Sequence, residues 1–372
     1  MLLLKQKGQN LFLRPSIVVA LFYLSYIIGQ LSLQNYDPEA FIFIGTRWLN
    51  DDPNGSSGYD GQFFYYIAKY LFNTPQYMID VPSFRFQRIL YPLFIRIFSL
   101  GQVDLMPWAM IFINIVALVI GTEVLDRLLQ LKGLNPWYSL IYGLYVGQLW
   151  CVRRDLTEPL MYMFILLATY AYAQKSPKLS VTFFILSIFA KESAVLFIVG
   201  HMVSFLMHRK FKTTLSFGIL ILTPFFFYQL FLWQLFGTFA FSRSVSLELT
   251  YIFKIIPFYG LYEHFQRRSI LLPELLNIIC LIIIPSLLAC ILAVEKLCKR
   301  EFKPEVFYLL INALFLIFLQ RDSYNGIVGY SRIATKIVTS FLLYSTMTRN
   351  QSLLKFSLIW ILPLVSYYTD GG

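Results

Sequence analysis

Charged side chains are scarce in this 372-residue sequence: Asp, Glu, Lys and Arg make up 14% of it, against 58% hydrophobic residues. That ratio, with a mean hydropathy of +0.63, excludes a soluble globular domain of ordinary composition. Cysteine is sparser still, at 4 residues. Cys151, Cys280, Cys290 and Cys298 sit in or beside apolar stretches without metal-ligand spacing, so no zinc site and no disulfide framework is expected, and all read as small buried hydrophobes. His201, His208 and His264 are dispersed and carry no metal or catalytic expectation. No Gly-rich phosphate loop is present, and neither long connection could hold a nucleotide-binding α/β domain, which disfavours a nucleotide-sugar donor.

What the chain has in abundance is long apolar runs. They approach the roughly 20 residues needed to cross a bilayer as helix, recur from end to end, and are apolar on every face, unlike the alternating strands of a barrel. The expected fold is therefore all-α, a polytopic transmembrane bundle forming one integral membrane domain over residues 1–372. About eleven spans are predicted, starting near residues 16, 104, 136, 156, 179, 194, 214, 274, 306, 332 and 355. The first, 16–33, follows Lys5, Lys7 and Arg14 and is expected to be a retained signal anchor. Two long connections, 34–103 and 237–273, separate it from the spans within 104–236 and 274–369.

With the N-terminus inside, the short loops near Arg127, Lys175, Arg209 to Lys212, Lys296 to Lys303 and Arg349 all fall on the cytoplasmic side. Basic residues then divide almost evenly, but acidic residues gather outside, so the inner face carries essentially the whole net charge of +11. An inner surface of that kind suits anionic lipid headgroups and gives no reason to invoke nucleic acid. Lysine dominates inside. Arginine dominates outside (Arg47, Arg85, Arg88, Arg96, Arg153, Arg154, Arg243, Arg267, Arg268, Arg321 and Arg332). Bidentate recognition of phosphate or carboxylate would select arginine; so would snorkelling at an interface.

Three constellations stand on the outer side. In Gly58-Tyr59-Asp60-Gly61-Gln62-Phe63-Phe64-Tyr65-Tyr66-Ile67-Ala68, an Asp-Gly turn precedes an apolar stripe of Phe63, Phe64, Ile67, Ala68, Leu71 and Phe72, with Gln62, Tyr66, Lys69 and Tyr70 off it. The spacing predicts a helix lying along the membrane surface, with Asp60 at its N-terminus, where a helix cap is the simpler reading on spacing alone. In Arg153-Arg154-Asp155-Leu156-Thr157-Glu158, Asp155 and Glu158 are expected to share a helix face, as part of a site or as a plain helix boundary. Lys191-Glu192 interrupts an apolar stretch, and a charge at mid-membrane costs roughly 2.5–3.5 kcal/mol, so at least one of the two is expected to face a polar cavity. Asp51 and Asp52, in a Pro/Asn/Gly/Ser-rich turn, read as a solvated loop.

The run Tyr59-Asp60-Gly61-Gln62-Phe63-Phe64-Tyr65, followed by Phe84-Arg85-Phe86-Gln87-Arg88-Ile89-Leu90-Tyr91-Pro92, resembles the GT-C superfamily of polytopic glycosyltransferases. More closely, it resembles a bacterial YDGQ-motif group linked to cell-surface glycopolymer formation. The similarity extends in order through Arg154-Asp155-Leu156-Thr157-Glu158-Pro159, Ala190-Lys191-Glu192-Ser193 and Gly329-Tyr330-Ser331-Arg332. The resemblance implies a donor sugar on a polyprenyl phosphate, an acceptor glycan, glycolipid or protein, and an active face outside the bacterial inner membrane. It implies Asp60 as catalytic base, with Tyr59, Gln62, Arg85, Arg88, Arg154, Asp155, Glu158, Lys191, Glu192 and Arg332 as substrate-binding residues. Some enzymes of the superfamily use a divalent cation, and no ligand set in this sequence demands one. A flippase of lipid-linked sugars and a non-catalytic assembly subunit are the competing expectations. A flippase would spread its polar groups through the membrane depth, whereas most candidates here fall on one side.

Overall fold

The computed structural model describes residues 14–240, 254–267, 272–324 and 326–366, without the side chains of 322, 365 and 366. Lys5, Lys7, Arg243 and Arg268 lie outside the described residues. The described regular elements are helices throughout. Those used below are α1 (Pro15–Leu33), α2 (Gly61–Tyr70), α3 (Leu90–Phe98), α4 (Met106–Leu131), α5 (Val146–Arg153), α6 (Glu158–Ala173), α7 (Pro177–Ala190), α8 (Val195–Met207), α9 (Phe211–Phe236), α10 (Tyr259–Arg267), α11 (Leu272–Cys298), α12 (Pro304–Ile317) and α13 (Gly326–Thr348). Four stretches, Pro15–Leu33, Val103–Leu131, Phe211–Phe236 and Leu272–Cys298, are long and apolar enough to cross a membrane, and several shorter apolar helices accompany them.

Burial sorts the faces of these helices in the way a bilayer protein requires. On α1, Val19, Tyr23, Ile27 and Leu31 form an i, i+4 stripe packed against the bundle, while Leu21, Leu24 and Ile28 on the other face are exposed and equally apolar. Its entry is fixed by Glu123 of α4, which accepts from Arg14 and from the Ser16 hydroxyl, each at 2.9 Å. The outward face of α9 exposes Leu215, Ile219, Phe226, Phe227 and Phe231. Apolar surface left outside on this scale is what lipid tails cover.

Two departures from the expected pattern shape the functional end. The run expected to span from 136 is broken into Pro136–Ser139, Leu140–Gly143 and α5. Eight residues of helix cover only about 12 Å, well short of a bilayer core. Tyr145 turns the chain there, with an extended backbone and its hydroxyl donating to the Ser331 carbonyl at 3.0 Å. The run from 177 to 207 is broken as well: α7 stops at Ala190, Lys191 is extended (φ −160°, ψ 131°), and a single 3-10 turn, Glu192–Ala194, leads into α8. Irregular backbone inside an apolar run is tolerated where its polar groups find partners within the protein.

The helix expected to lie on the membrane surface is instead sunk into the fold. Gly61 through Ala68 of α2 are all buried, Gln62 fully, because the positions that look polar in the sequence are used internally. Gln62 accepts from the Gly45 N–H at 2.9 Å and donates to the Ser57 carbonyl at 2.8 Å, stitching the preceding loop onto the helix. α2 packs on α3, and Tyr228 of α9 donates to the Phe86 carbonyl at 2.9 Å. The 34–103 connection is thus a folded cap on one end of the bundle.

Of the cysteines, Cys151 is buried, Cys280 and Cys290 are half-buried and Cys298 is exposed, so the expectation of four buried thiols holds for one. The last lies where α11 ends at a charged turn, beyond the apolar packing.

Candidate functional site

The Asp-Gly pair of the motif is fixed by steric contact. Gly58 has φ +62°, and the Tyr59 N–H donates to the Phe43 carbonyl at 2.9 Å. At Gly61 the chain meets the turn between α5 and α6 so closely that a Cβ would lie 2.4 Å from the Arg154 carbonyl oxygen, closer than any real Cβ tolerates. Only glycine fits at that position, and the contact clamps residue 60 at the mouth of the charged region. Asp60 does not cap α2. Its side chain accepts no N-terminal N–H; the first turn is closed by the Tyr59 and Asp60 carbonyls.

The Asp60 carboxylate lies between two guanidinium groups, Arg85 Nη1 at 3.0 Å from Oδ1 and Arg332 Nη1 at 3.2 Å from Oδ2. Arg85 also binds Asp80 bidentately, at 2.8 and 2.7 Å, and lies over the Phe63 ring at 4.4 Å. Arg332 reaches on to Glu158, Nε to Oε1 3.1 Å, and Glu158 receives the Lys191 ammonium at 2.6 Å. Beside this chain, Arg88 binds Glu192 bidentately at 2.8 and 2.7 Å, over the Phe84 ring. Charges of alternating sign therefore run Asp80, Arg85, Asp60, Arg332, Glu158, Lys191, with Glu192 and Arg88 joined through the backbone at the α7–α8 break. Five separate stretches of sequence supply them.

Paired, hydrogen-bonded charges of this kind survive burial that would neutralise isolated ones. Burial alone would push the Asp60 carboxyl up, but Arg85 and Arg332, with Arg88 and Lys191 behind them, hold it well below the usual carboxylate range. Burial would pull the Arg85 guanidinium down, and Asp60 and Asp80 together hold it up. The Tyr59 phenol is pushed up, by burial first and by Asp60 and Glu158 against the pull of Arg332, so it stays a neutral donor. The Asp60 side chain keeps 27% exposure and Glu192 25%, so these two carboxylates are open to a molecule from outside, whereas Asp80 and Glu158 are more deeply buried.

Asp60, Arg85, Arg88, Glu158, Lys191, Glu192 and Arg332, all singled out in the sequence, converge. Tyr59 stands beside them, its ring 5.6 Å from the Arg332 guanidinium. Gln62, Arg154 and Asp155 do not join the ionic chain. Gln62 is spent on the loop stitch described above. Arg154 lies flat on Phe43, 3.4 Å from its centroid, and near Tyr59, while its carbonyl is the seat for Gly61. Asp155 does not share a helix face with Glu158: it precedes α6 with φ +47°, is fully buried, and is approached by Asn114 Nδ2 at 3.4 Å, the same amide that donates to the Tyr91 hydroxyl at 2.9 Å. Burial drives the Asp155 carboxyl well above its ordinary range against weaker opposition from Asn114 and Arg153, which favours its uncharged form. Asp51 and Asp52 are exposed, as a solvated turn requires.

No family model matches this chain, and no curated protein or solved structure matches it either. The geometry therefore speaks for itself. Two residues of the region escaped the sequence: Asp80, the second acid on Arg85, and Lys336, buried on α13 one turn beyond Arg332. Asp80 lies in an aperiodic segment that gives no signal. Lys336 interrupts an apolar helix in the way that drew attention to Lys191, so the same cost argument finds it. Among the described residues, no group of three or more His, Cys, Asp or Glu is placed to hold a metal ion.

Proposed function

We propose that this protein is a GT-C-type membrane glycosyltransferase that moves a sugar from a polyprenyl-phosphate donor to a cell-surface glycan, glycolipid or protein. The single observation that carries the reading is the position of Asp60: a partly exposed carboxylate with both oxygens against arginines, within a largely buried network of charges. In the proposed reaction Asp60 takes the proton of the acceptor hydroxyl, whose oxygen attacks the anomeric carbon. The bond from that carbon to the phosphate oxygen breaks, and its electron pair leaves on the polyprenyl phosphate. Arg332, Arg85, Arg88 and Lys191 stabilise the departing charge, with Glu158, Glu192 and Asp80 holding them in place.

Clamped between two guanidinium groups, Asp60 is a weak base. A donor phosphate competes for the same arginines, and each one it draws away returns basicity to Asp60. The ion-pair network is thus a resting state that the donor opens. The basic short loops support an N-terminus in the cytoplasm of a bacterial inner membrane, with the reacting face outside.

The test is Asp60→Asn in the native host, with glycopolymer composition and membrane abundance measured together. The expected result is loss of the sugar at normal abundance; an unchanged polymer at normal abundance refutes the assignment. Purified protein in detergent, given lipid-linked sugar and acceptor, separates the alternatives. Transfer without a sealed bilayer excludes a pure flippase and a silent assembly subunit.

A further inference from the structure

Lys336 is a buried lysine that makes no ion pair among the described residues. It is 7% exposed, and among the described residues its ammonium meets no carboxylate and no hydrogen-bond acceptor; its close contact is the face of the Phe315 ring, 4.2 Å from the centroid. A charge in that position is ordinarily paired or faces a polar ligand. Lys336 follows Arg332 by four residues, so the two cations stand on the same face of α13, one turn apart.

Phe315 is also a wall of a cavity of about 420 Å³, which Leu196, Ile311, Leu314 and Phe318 line with almost wholly apolar surface. Lys254 borders it too, but that ammonium is taken by Glu263 at 3.1 Å. An apolar space sharing one ring with a buried lysine that has no ion-pair partner among the described residues matches an amphiphile with an anionic head. The neighbouring Arg332 already holds two carboxylates, so an incoming head must outcompete them, and a phosphate brings more charge and more acceptor oxygens than a carboxylate does.

We propose that Lys336 anchors a lipid phosphate, with the head between Lys336 and Arg332 and the first part of the chain in the cavity behind Phe315. The inference deepens the transferase reading and rests on it for the identity of the chain as a polyprenyl; the anchor itself does not require transfer.

The experiment uses full-length protein in zwitterionic nanodiscs, with dodecyl phosphate, dodecanol and inorganic phosphate as separate probes and thermal unfolding as the readout. Dodecyl phosphate is expected to raise Tm, and the other two are not. Lys336→Met should raise the ligand-free Tm, because an apolar chain replaces a buried amine without an ion-pair partner, and should weaken dodecyl phosphate at least tenfold. Lys336→Arg should keep the binding, and Leu314→Trp, which fills the cavity, should weaken it. Wild-type affinity in Lys336→Met overturns the proposal, as does inorganic phosphate acting as strongly as dodecyl phosphate. Lys336-dependent binding in a protein that transfers no sugar would sink the transferase reading and leave the anchor standing; intact transfer with Lys336-independent binding would do the reverse.

Discussion

Replacing Glu158 by Gln removes one carboxylate that serves two cations. Glu158 is 4% exposed and receives Lys191 at 2.6 Å and Arg332 at 3.1 Å. Breaking a buried ion pair by removing one partner costs about 3–5 kcal/mol, because the other charge is left without compensation. The Gln carbonyl still accepts one hydrogen bond, which offsets about 1 kcal/mol, so the expected loss is about 2–4 kcal/mol. At 1.4 kcal/mol per tenfold, that is roughly a 30- to 800-fold shift of the unfolding equilibrium. Adding Lys191→Met in the same chain takes away the stranded ammonium and should recover most of the loss, since Arg332 keeps its contact with Asp60. The measurement is reversible unfolding in mixed micelles, followed by tryptophan fluorescence and circular dichroism together. A single variant within about 0.5 kcal/mol of wild type, or a double variant no more stable than the single, would refute the argument.

Three further outcomes follow from the same geometry. Gly61→Ala drives a methyl group into the Arg154 carbonyl and should cost about 1–3 kcal/mol, seen as reduced membrane abundance and a lower Tm; a silent substitution would show that the contact is slack. Asp155→Asn should leave stability within about 1 kcal/mol and glycopolymer unchanged, because burial already favours the uncharged carboxyl; lost transfer at normal abundance would instead make Asp155 part of the site. Wild-type kcat/KM should show no acid limb above about pH 4, because Arg85 and Arg332 keep Asp60 ionised below the ordinary carboxylate range. Arg332→Gln removes one of those cations, so the Asp60 carboxyl should titrate at a higher pH than in the wild type, read by difference infrared spectroscopy of the carboxylate; an unshifted titration would uncouple Arg332 from Asp60.

Apolar runs made the helical membrane character legible, since no other solvent tolerates so much uniform hydrophobicity, and α1, α9 and α11 begin within a few residues of the positions the sequence suggests. The failures have specific causes. The run from 136 is apolar enough to span, but tertiary contacts through Tyr145 turn it back, and hydropathy carries no record of them. α2 has the pattern of a surface helix, yet Gln62 and its neighbours spend their polarity on a loop that folds over them. Asp155 and Glu158 have helical spacing without sharing a helix, because the left-handed turn at 155 comes first. Lys191 and Glu192 were readable from the cost of placing charge in an apolar stretch, and Asp60 and Arg332 from the motif. Which of them pair was not readable, since ion pairs spanning from 25 residues (Asp60 with Arg85) to 272 (Asp60 with Arg332) leave no local trace.

The bond between Arg332 and Asp60 joins residues 272 positions apart, so it closes only after α13 has been made. A ribosome that has released everything before residue 326 has delivered Asp60 and Glu158 without the guanidinium they share. Until then the growing polypeptide carries acids short of a counter-charge in a setting that penalises them, and it is exposed to the proteases that clear unfinished membrane proteins. Arrival of α13 brings the guanidinium that Asp60 and Glu158 share, so the candidate site is assembled only once that helix is in place.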